Sequence, residues 1–382
     1  MLSWISALCL LAASAGCLYL IAAAVFVGRF AKAGRLEPDA FPPVTILKPL
    51  HGDEPGLFDN LASFCAQDYV GPVQVVFGVQ DPADPAAAVV GRLAAAFPDR
   101  ALDLAIDPRR HGQNGKISNL VNMAARVRHE IVVLADSDMQ VPPDYLMRIV
   151  AALQRPGVEL VTCLYHGVPV SGRLWPRLSA LAIDTHFLPN VVVGLGLGLA
   201  RPCFGSTIAL RRATLDAIGG FEVFADRLAD DYAIGAAVRA AGFAVAIPPF
   251  TIGHACPEDS ARALWRHEIR WARTIRSVDP AGYAGMAITH AFPLALLGAL
   301  AGGAGGLLVA VTALACRISL CVRIERAFGL HRHPYWLVPL RDVLSFAVFA
   351  FSLFGVAVSW KGSDYRVTPD GILLSERRSP VP

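Results

Sequence analysis

The sequence predicts an α/β domain with a mostly parallel sheet, flanked by membrane-spanning segments towards both ends of the chain. Hydrophobic residues make up 54% of its 382 residues and charged residues only 17%, which is typical of chains that bury surface in lipid. Between two long apolar regions, short β-branched runs alternate with helical patterns, as in a parallel sheet covered by helices. The length allows one soluble domain of about 200 to 250 residues besides the membrane segments.

The first apolar segment predicts a membrane anchor. Residues 1–28 carry no charged side chain, are long enough to cross a hydrocarbon core, and are followed by Arg29, Lys32 and Arg35. By the positive-inside rule the amino terminus lies outside and the next domain, residues 41–276, lies in the cytosol. A basic stretch before the apolar run and a small-residue cleavage site after it would mark a signal peptide, and neither is clear. We therefore interpret the segment as a signal anchor.

A second membrane region is predicted over residues 284–360. An apolar, glycine-containing stretch from Ala284 to Cys316 forms either a hairpin of two short spans or one long tilted span, and another stretch runs from Val343 to Trp360. Basic residues between the stretches favour a cytosolic loop and therefore the hairpin: Arg317, Arg323, Arg326 and Arg332. That number of spans would place the basic tail, residues 361–382, outside, whereas the charges of the tail favour the cytosol.

The region between the membrane segments predicts alternating strands and helices. The predicted strands are Val44–Lys48, Gln74–Val79, Leu102–Ile106, Ile131–Ala135 and Leu160–Cys163. The predicted helices are Leu57–Ala66, Ala86–Phe97, Ser118–Val127, Pro143–Leu153 and Asp230–Ala241. In such sheets the ligand site lies beyond the carboxyl ends of the strands, so polar residues at those ends are the candidates for function.

Acidic residues follow two of the predicted strands. Asp81 is placed either to bind a nucleobase or ribose or to form an Asx turn with Pro82. Asp136 and Asp138 are two residues apart where the chain leaves the sheet. Two carboxylates at this spacing either hold a hard divalent cation that offsets the charge of a diphosphate, or form an ordinary polar loop.

Two further segments carry groups suited to group transfer. Asp230 and Asp231 open a predicted helix, where they serve either as a cap or, for Asp231, as a general base that deprotonates a hydroxyl. Lys116 lies at the start of another predicted helix and offers a phosphate contact. Arg270 and Trp271 precede a predicted span, so they are either its interfacial flank or a clamp on a diphosphate and an acceptor.

The segment from Leu174 to Leu199 is too apolar for an ordinary exposed connection. One interpretation is a surface along which a lipid acceptor enters, together with the segment of Arg270 and Trp271. The other is a buried core helix followed by a loop, because length and periodicity fit both.

Two classes of function are disfavoured by composition. A net charge of +3, without a basic run interleaved with aromatic residues, argues against nucleic acid as a partner. The eight cysteines form no C-x-x-C pair, so the sequence predicts neither a disulfide framework nor a zinc site, as suits a reducing compartment.

Motifs that occur in order along the chain resemble those of processive-type family 2 glycosyltransferases and, more closely, of the ceramide glucosyltransferase group, family 21. They are Lys48-Pro49-Leu50-His51-Gly52, Val79-Gln80-Asp81 with Asp84-Pro85, Asn114-Gly115-Lys116 with Asn119-Leu120, Asp136-Ser137-Asp138, Asp230-Asp231-Tyr232, Ile269-Arg270-Trp271, and Ser359-Trp360 with Tyr365-Arg366. Within that group the chain most resembles the bacterial hopanoid-biosynthesis glycosyltransferases. Together the motifs cover almost the whole chain.

The resemblance implies a GT-A fold in a multi-pass protein of the inner membrane, with the catalytic domain in the cytosol. It implies inverting transfer of N-acetylglucosamine from the donor UDP-N-acetylglucosamine to a membrane lipid, a hopanoid such as bacteriohopanetetrol. Carried over by motif, the donor site would contain Asp81, Lys116, Asp136, Arg270 and Trp271. Asp136 and Asp138 would hold the divalent cation, Mg²⁺ or Mn²⁺, and Asp231 would be the base.

The chain departs from the family pattern at three positions. His267 stands where the last motif begins with Gln or Arg, and Asp230 stands where related sequences often have Glu. Asp138 has no counterpart in some eukaryotic ceramide enzymes.

Three alternatives stay open. The first is glucosylation of ceramide or another lipid from UDP-glucose, because the same motifs serve both donors. The second is a non-catalytic membrane scaffold that only binds nucleotide, although such a scaffold has no need of Asp231. The third, a processive polymer synthase, is disfavoured because the few spans leave little material for a polymer channel.

Overall fold

A computed structural model of the chain describes residues 2–355, 357–360, 363–367 and 372–375. The helices are α1 Leu2–Ala31, α2 Leu57–Cys65, α3 Ala86–Ala96, α4 Gly115–Ala124, α5 Tyr145–Leu153, α6 Leu174–Ala182, α7 Leu188–Gly196, α8 Arg212–Ala217, α9 Asp230–Ala240, α10 Ala261–Val278, α11 Pro280–Gly285, α12 Ala291–Phe328 and α13 Val338–Ser352. The strands are β1 Val44–Pro49, β2 Val73–Val79, β3 Ala101–Ile106, β4 Ile131–Leu134, β5 Met139–Gln140, β6 Val158–Val161, β7 Leu164–Pro169, β8 Ile208–Arg211, β9 Ala244–Ala246, β10 Thr251–Cys256, β11 Ala357–Trp360, β12 Ser363–Val367 and β13 Leu373–Ser375.

The chain divides into two compact units. The sheet unit contains the described residues of Arg35–Tyr165, Pro202–Pro257 and Ser363–Pro382. The helical unit contains the described residues of Met1–Gly34, His166–Arg201 and Glu258–Gly362. The domain predicted over residues 41–276 therefore contributes to both units. Apart from β12, β13 and residue 372, the predicted basic tail, residues 361–382, lies outside the described residues.

The sheet unit is built on a seven-stranded sheet with the order β3-β2-β1-β4-β8-β6-β9. The pairs β1–β2, β1–β4, β2–β3 and β6–β9 are parallel, whereas β8 runs antiparallel to both β4 and β6. All six residues of β1 are buried, as expected for a strand whose two faces are both covered. The mostly parallel sheet predicted from the sequence is confirmed.

The first four predicted strands agree with β1 to β4 to within one residue at either end. The fifth, predicted over Leu160–Cys163, is displaced, because β6 covers Val158–Val161. Helix α4 begins at Gly115, earlier than predicted, because Asn114 caps it: the Asn114 Oδ1 atom accepts a hydrogen bond from the Ile117 N–H group (3.1 Å). Strands β5 and β7 to β13 were not predicted.

The described part of the helical unit contains four helices long and apolar enough to span a membrane: Trp4–Ala31, Leu174–Gly196, Gly303–Phe328 and Tyr335–Ser352. A further pair, Pro280–Thr289 and Ala291–Leu300, is bent by 60° and adds a broken span if it counts as one. Within α12 the backbone leaves the helical conformation at Gly303, where φ is +55°, a value that glycine tolerates.

The predicted extent of the cytosolic loop is wrong, because Arg317, Arg323 and Arg326 lie inside α12, and only Arg332 lies between α12 and α13. Arg317 is only 1% exposed. Its guanidinium pairs with Asp342 of α13 (Nε to Oδ1, 3.1 Å) and donates to the carbonyl oxygens of Thr185 (2.7 Å) and Thr289 (2.6 Å). A buried partner of opposite charge thus keeps Arg317 in a span, which the sequence pattern alone did not indicate.

Two other expectations need adjustment. The stretch predicted over Val343–Trp360 is not one span, since the helix covers Tyr335–Ser352 and Ala357–Trp360 forms β11. The apolar segment from Leu174 is one continuous helix to Gly196, with a π-helical turn in its middle, and about two thirds of it is buried in the helical unit. Leu197 and Leu199, beyond its end, are 54% and 77% exposed. The core-helix interpretation thus describes most of this segment.

Candidate active site

The carboxyl ends of β1, β2 and β4 meet at one edge of the sheet, because these neighbouring strands are parallel. Asp136 and Asp138 follow β4 at this edge. Since β8 is antiparallel to β4, the loop that enters β8 lies at the same edge. That loop contains Gly205, which contacts Asp136 and Asp231 (below). The sheet topology thus assembles the acidic residues from distant parts of the sequence.

Lys116 lies between two of the predicted carboxylates. Its Nζ atom is 2.7 Å from Asp136 Oδ1 and 3.0 Å from Asp230 Oδ2. Asn114 supports this arrangement, because its Nδ2 group donates to Asp230 Oδ1 (3.2 Å) and to the Arg227 carbonyl (2.9 Å). The first turn of α4 therefore presents an ammonium group to the acidic cluster of Asp136, Asp230 and Asp231.

Gly205 links Asp136 and Asp231 through its backbone. The Gly205 N–H group donates to Asp231 Oδ2 (2.9 Å), and its carbonyl accepts from the Asp136 N–H group (3.1 Å). A Cβ atom at this position would lie 2.5 Å from Asp136 Oδ2 and 2.9 Å from Lys116 Nζ, too close for either atom to stay in place. The absence of a side chain at residue 205 therefore allows the Asp136 carboxylate and the Lys116 ammonium to take these positions.

Asp231 has the electrostatic properties of a general base. Burial and the neighbouring charge of Asp230 raise its pKa to about 6, although Lys116 and the N–H groups of Tyr232 and Gly205 act in the opposite direction. The Tyr232 N–H group donates to Asp231 Oδ1 (2.7 Å), which fixes the orientation of the carboxylate. A carboxylate with a pKa near 6 is ionised at neutral pH and accepts a proton more readily than an unperturbed aspartate.

Two lysines of the site have opposite shifts. Burial alone would lower the pKa of Lys116, but the carboxylates of Asp136, Asp230 and Asp231 raise it overall, so the side chain stays charged. Lys48, which is fully buried, has its pKa lowered by burial to about 7, against the opposing effect of nearby acidic groups. Its Nζ group donates to the Asp136 carbonyl (2.5 Å) and holds the chain after β4 in place.

His254 is a site residue that sequence reasoning missed. It is 4% exposed, and its Nε2 atom lies 3.3 Å from Asp138 Oδ2. Burial alone would lower the pKa of His254. The neighbouring Asp138 carboxylate has a larger, opposite effect, so the pKa lies well above the ordinary value. The imidazolium ring packs against Tyr165 at 5.5 Å between centroids. No motif marks it, because its role depends on the unpredicted strand β10.

Asp81 lies at the same sheet edge, two residues beyond the end of β2, and is exposed. Its Oδ1 atom accepts from the Ala83 N–H group (2.8 Å), so it forms the Asx turn that was one of its two interpretations. Nucleotide binding by Asp81 stays a prediction. The neighbouring Asp84 is buried and accepts from the Gly52 N–H group (2.9 Å), which joins the loops after β1 and β2.

Arg270 and Trp271 lie on α10, in the helical unit, and both are half-buried. His267, whose role was open, contacts Trp271 edge to face with ring centroids 4.5 Å apart, and its Nδ1 atom bonds the buried carboxylate of Glu258. His267 therefore positions the indole ring within this unit. The predicted donor contacts of Arg270 and Trp271 stay predictions.

The carboxylates Asp136 and Asp138 fit a divalent cation of the Mg²⁺ class. In the described part of the chain, no three His, Cys, Asp or Glu side chains converge as a protein-only metal cage. Such cations are usually held by one or two carboxylates together with substrate phosphates and water, not by an all-protein cage. Lys116 approaches Asp136 Oδ1 and His254 approaches Asp138 Oδ2, so each takes up one oxygen of the pair.

Two relatives resemble this chain in sequence. Ceramide glucosyltransferase 1 of Caenorhabditis elegans is 26% identical over 215 residues, which cover 56% of this chain and 46% of the relative. The beta-monoglucosyldiacylglycerol synthase of Synechocystis is 26% identical over 239 residues, covering 61% of this chain and 47% of the relative. The chain thus spans about half the length of the relatives it matches.

The fold and the family follow from two further matches. A mannosyltransferase from Pyrobaculum calidifontis, solved with GDP-Man and Mn²⁺, aligns with 93% of this chain and 99% of its own, with a TM-score of 0.53 and 23% identity. This likeness shows a GT-A-like glycosyltransferase fold. The family model of glycosyl transferase family 21 matches residues 7–373, and the chain therefore belongs to glycosyl transferase family 21.

Proposed function

We propose that the chain is an inverting hexosyltransferase that moves a sugar from a UDP-sugar to a hydroxyl group of a membrane lipid. The observation that carries the proposal is the Asp231 carboxylate. It is oriented by two backbone N–H groups, with a pKa of about 6, in one cluster with Asp136 and Lys116. A nucleotide-binding scaffold would have no use for a base held in this way.

In the proposed reaction, Asp231 takes the proton of the acceptor hydroxyl as its oxygen attacks the anomeric carbon of the donor sugar. The new bond joins that oxygen to the anomeric carbon, and the bond from this carbon to the diphosphate oxygen breaks, releasing UDP. The single displacement inverts the configuration at the anomeric carbon. Because Asp231 must be ionised to act, its proximity to Lys116 favours the reactive form.

The leaving diphosphate develops negative charge that the sheet unit must balance. Lys116 offers a charged donor at the start of α4, where backbone N–H groups also favour an anion. A divalent cation, when bound, would supply Lewis-acid stabilisation of the diphosphate, and Asp136 and Asp138 would hold it. Asp81 is the proposed contact to the nucleoside, and Arg270 with Trp271 are proposed to contact the diphosphate and the acceptor.

The proposed donor is UDP-N-acetylglucosamine and the proposed acceptor is a hopanoid such as bacteriohopanetetrol. This finer assignment is supported by the resemblance of the ordered motifs to the hopanoid-biosynthesis group. The named relatives favour a second candidate, glucosyl transfer from UDP-glucose to ceramide or diacylglycerol. Both candidates use the same base and the same diphosphate contacts, so they differ only in the sugar and the acceptor.

The proposed location is the inner membrane, with the sheet unit in the cytosol. The apolar helices support residence in a membrane, and the basic residues after the first span support the orientation: Arg29, Lys32 and Arg35. A cytosolic active site would meet nucleotide sugars where cells synthesise them.

A transfer assay with purified full-length protein tests the proposal. UDP-N-acetylglucosamine and UDP-glucose are each supplied with vesicles that contain bacteriohopanetetrol, ceramide or diacylglycerol. The glycolipid products are identified by their masses in mass spectrometry. We expect one donor and one acceptor class to give a glycolipid, activity to disappear with a chelator, and Mg²⁺ or Mn²⁺ to restore it. Full activity in excess chelator would remove the cation from the proposal. No glycolipid with any pair, from a folded protein that binds UDP, would contradict the transferase assignment.

A further inference from the structure

A groove in the helical unit lies between α1 and α12 and encloses about 690 Å³. Its walls are apolar over most of their length, formed by residues such as Leu20, Val25, Val311 and Ala315. From Leu20 to Arg29, the last lining residue within α1, the helix rises roughly 14 Å at about 1.5 Å per residue, which is comparable with one leaflet of a hydrocarbon core about 30 Å thick. The groove therefore has the length and polarity that suit an acyl chain.

One end of the groove is basic. Arg29 and Lys32 approach it from the end of α1, and Arg323 approaches it from α12. The residues that line the groove include no Asp or Glu, and in the described part of the chain no carboxylate forms an ion pair with any of these three side chains within 4.0 Å. Three uncompensated cations at the end of an apolar groove are complementary to an anionic headgroup.

Arg323 is held at the mouth of the groove by its packing. Its Nε atom donates to the Ala24 carbonyl (3.3 Å), and its guanidinium lies against the backbone of Gly28. A Cβ atom at residue 28 would lie 1.7 Å from Nη2 of Arg323, so any other residue there would force the guanidinium to move. Glycine at position 28 therefore allows the Arg323 guanidinium to lie against α1. Arg29 and Lys32 follow directly, which indicates that this is the level where the span ends.

We propose that this groove binds one anionic phospholipid, with an acyl chain along α1 and α12 and the phosphate on Arg29, Lys32 and Arg323. Binding of this phospholipid does not depend on which sugar the protein transfers. The lipid contacts the first span and the candidate span Gly303–Phe328 at once, and so it stabilises their pairing. The composition of the surrounding membrane would then affect the stability of the helical unit.

The test reconstitutes the full chain in bilayers of equimolar phosphatidylcholine and phosphatidylglycerol, and native mass spectrometry counts the lipids that each chain retains. We expect phosphatidylglycerol to be retained in preference to phosphatidylcholine. Arg323→Gln should weaken its retention about fivefold, since one basic residue near the surface contributes about 1 kcal/mol. Ala315→Phe, which fills the apolar part without changing the charge, should also weaken retention.

Arg326→Gln is the matched control, because Arg326 is exposed on the same helix but does not line this groove. Retention of phosphatidylglycerol in this variant should equal that of the wild type. Equal retention of both lipids by the wild type would overturn the proposal, and so would an equal loss in Arg323→Gln and Arg326→Gln. If Arg323→Gln does not fold, Lys32→Gln, an exposed change after the end of α1, replaces it in the same comparison.

Discussion

At the scale of single residues, the chemistry depends on how Asp231 is ionised. Burial and the charge of Asp230 raise its pKa to about 6, above the ordinary value of an aspartate. The ionised form is the base, so activity must fall as the pH falls through this pKa. Lys116, whose pKa is raised by the surrounding carboxylates, keeps its charge over the same range.

We therefore predict that kcat/KM rises with pH through a single ionisation near pH 6 and levels off above about pH 7. The measurement is the rate of glycolipid formation between pH 4.5 and pH 8 at subsaturating donor. Asp230→Asn should move this ionisation to lower pH, because the charge of Asp230 raises the pKa of Asp231. An unchanged rate down to pH 4.5 in the wild type would contradict the assignment of the base.

Sequence reasoning at this scale found the acidic residues but not their partners. Asp136, Asp138 and Asp231 were predicted because each lies at a strand end or helix start. The pairing of Lys116 with Asp230, and that of His254 with Asp138, joins residues more than 100 positions apart. Local patterns contain no information on such contacts, which are set by the order of the strands.

At the scale of elements, the turn around Gly205 determines the relation between Asp136, a proposed cation ligand, and Asp231, the proposed base. Its backbone bonds to both Asp136 and Asp231, and a Cβ atom would meet a carboxylate oxygen at 2.5 Å. We predict that Gly205→Ala lowers kcat at least tenfold and costs about 1–3 kcal/mol in stability, as overpacking does. Turnover and thermal unfolding of the purified variant measure the two effects.

Gly91→Ala is the control for that prediction. Gly91 lies in α3 of the same unit, and a Cβ atom there would have no neighbour within 4 Å. The change should leave turnover unaltered and raise stability by up to about 1 kcal/mol, because alanine favours a helix over glycine. Wild-type turnover in Gly205→Ala would show that the turn tolerates a side chain and does not set the geometry of the site.

The packing of the spans rests on a buried ion pair between elements. Arg317 of α12 and Asp342 of α13 are each 1% exposed, and His186 bonds to the same carboxylate (2.9 Å). We predict that Arg317→Met destabilises the protein in detergent by about 3–5 kcal/mol, because it leaves a buried charge without its main partner. Apparent unfolding temperatures of the micellar protein provide the measurement.

Arg317→Met combined with Asp342→Asn should be more stable than Arg317→Met alone. The second change removes the isolated charge and keeps an oxygen that can accept a hydrogen bond from His186. Additive losses in the double variant would mean that the two side chains stabilise the spans independently. The ion pair would then have no part in holding α12 against α13.

The elements that local sequence patterns predicted are those with a clear apolar run or a clear helical periodicity. Strands β1, β2 and β4 were found because they are mostly buried apolar runs, whereas β9 is three residues long and β5 only two. Helix α12 was predicted to end near Cys316, but it continues to Phe328. The reason is that Arg317 is neutralised inside the unit, so a charge that normally ends a span does not do so here.

At the scale of the whole molecule, hydropathy predicted membrane regions at both ends, and the described chain has candidate spans there. It did not predict that Leu174–Gly196 is also long and apolar enough to span a membrane, nor that this helix belongs to the same compact unit as the terminal spans. Compact units depend on contacts between distant segments. A linear reading of the sequence divides the chain into consecutive domains instead.

The central claim is that Asp231 deprotonates the acceptor hydroxyl, and its most direct test is single-site replacement with donor binding measured in parallel. We predict that Asp231→Asn lowers glycolipid formation by about 10²- to 10⁴-fold while the Kd for the donor stays close to that of the wild type. Asp99→Asn, the same change at an exposed position of the sheet unit, should retain full activity. Near-normal turnover in a folded, donor-binding Asp231→Asn protein would contradict the account.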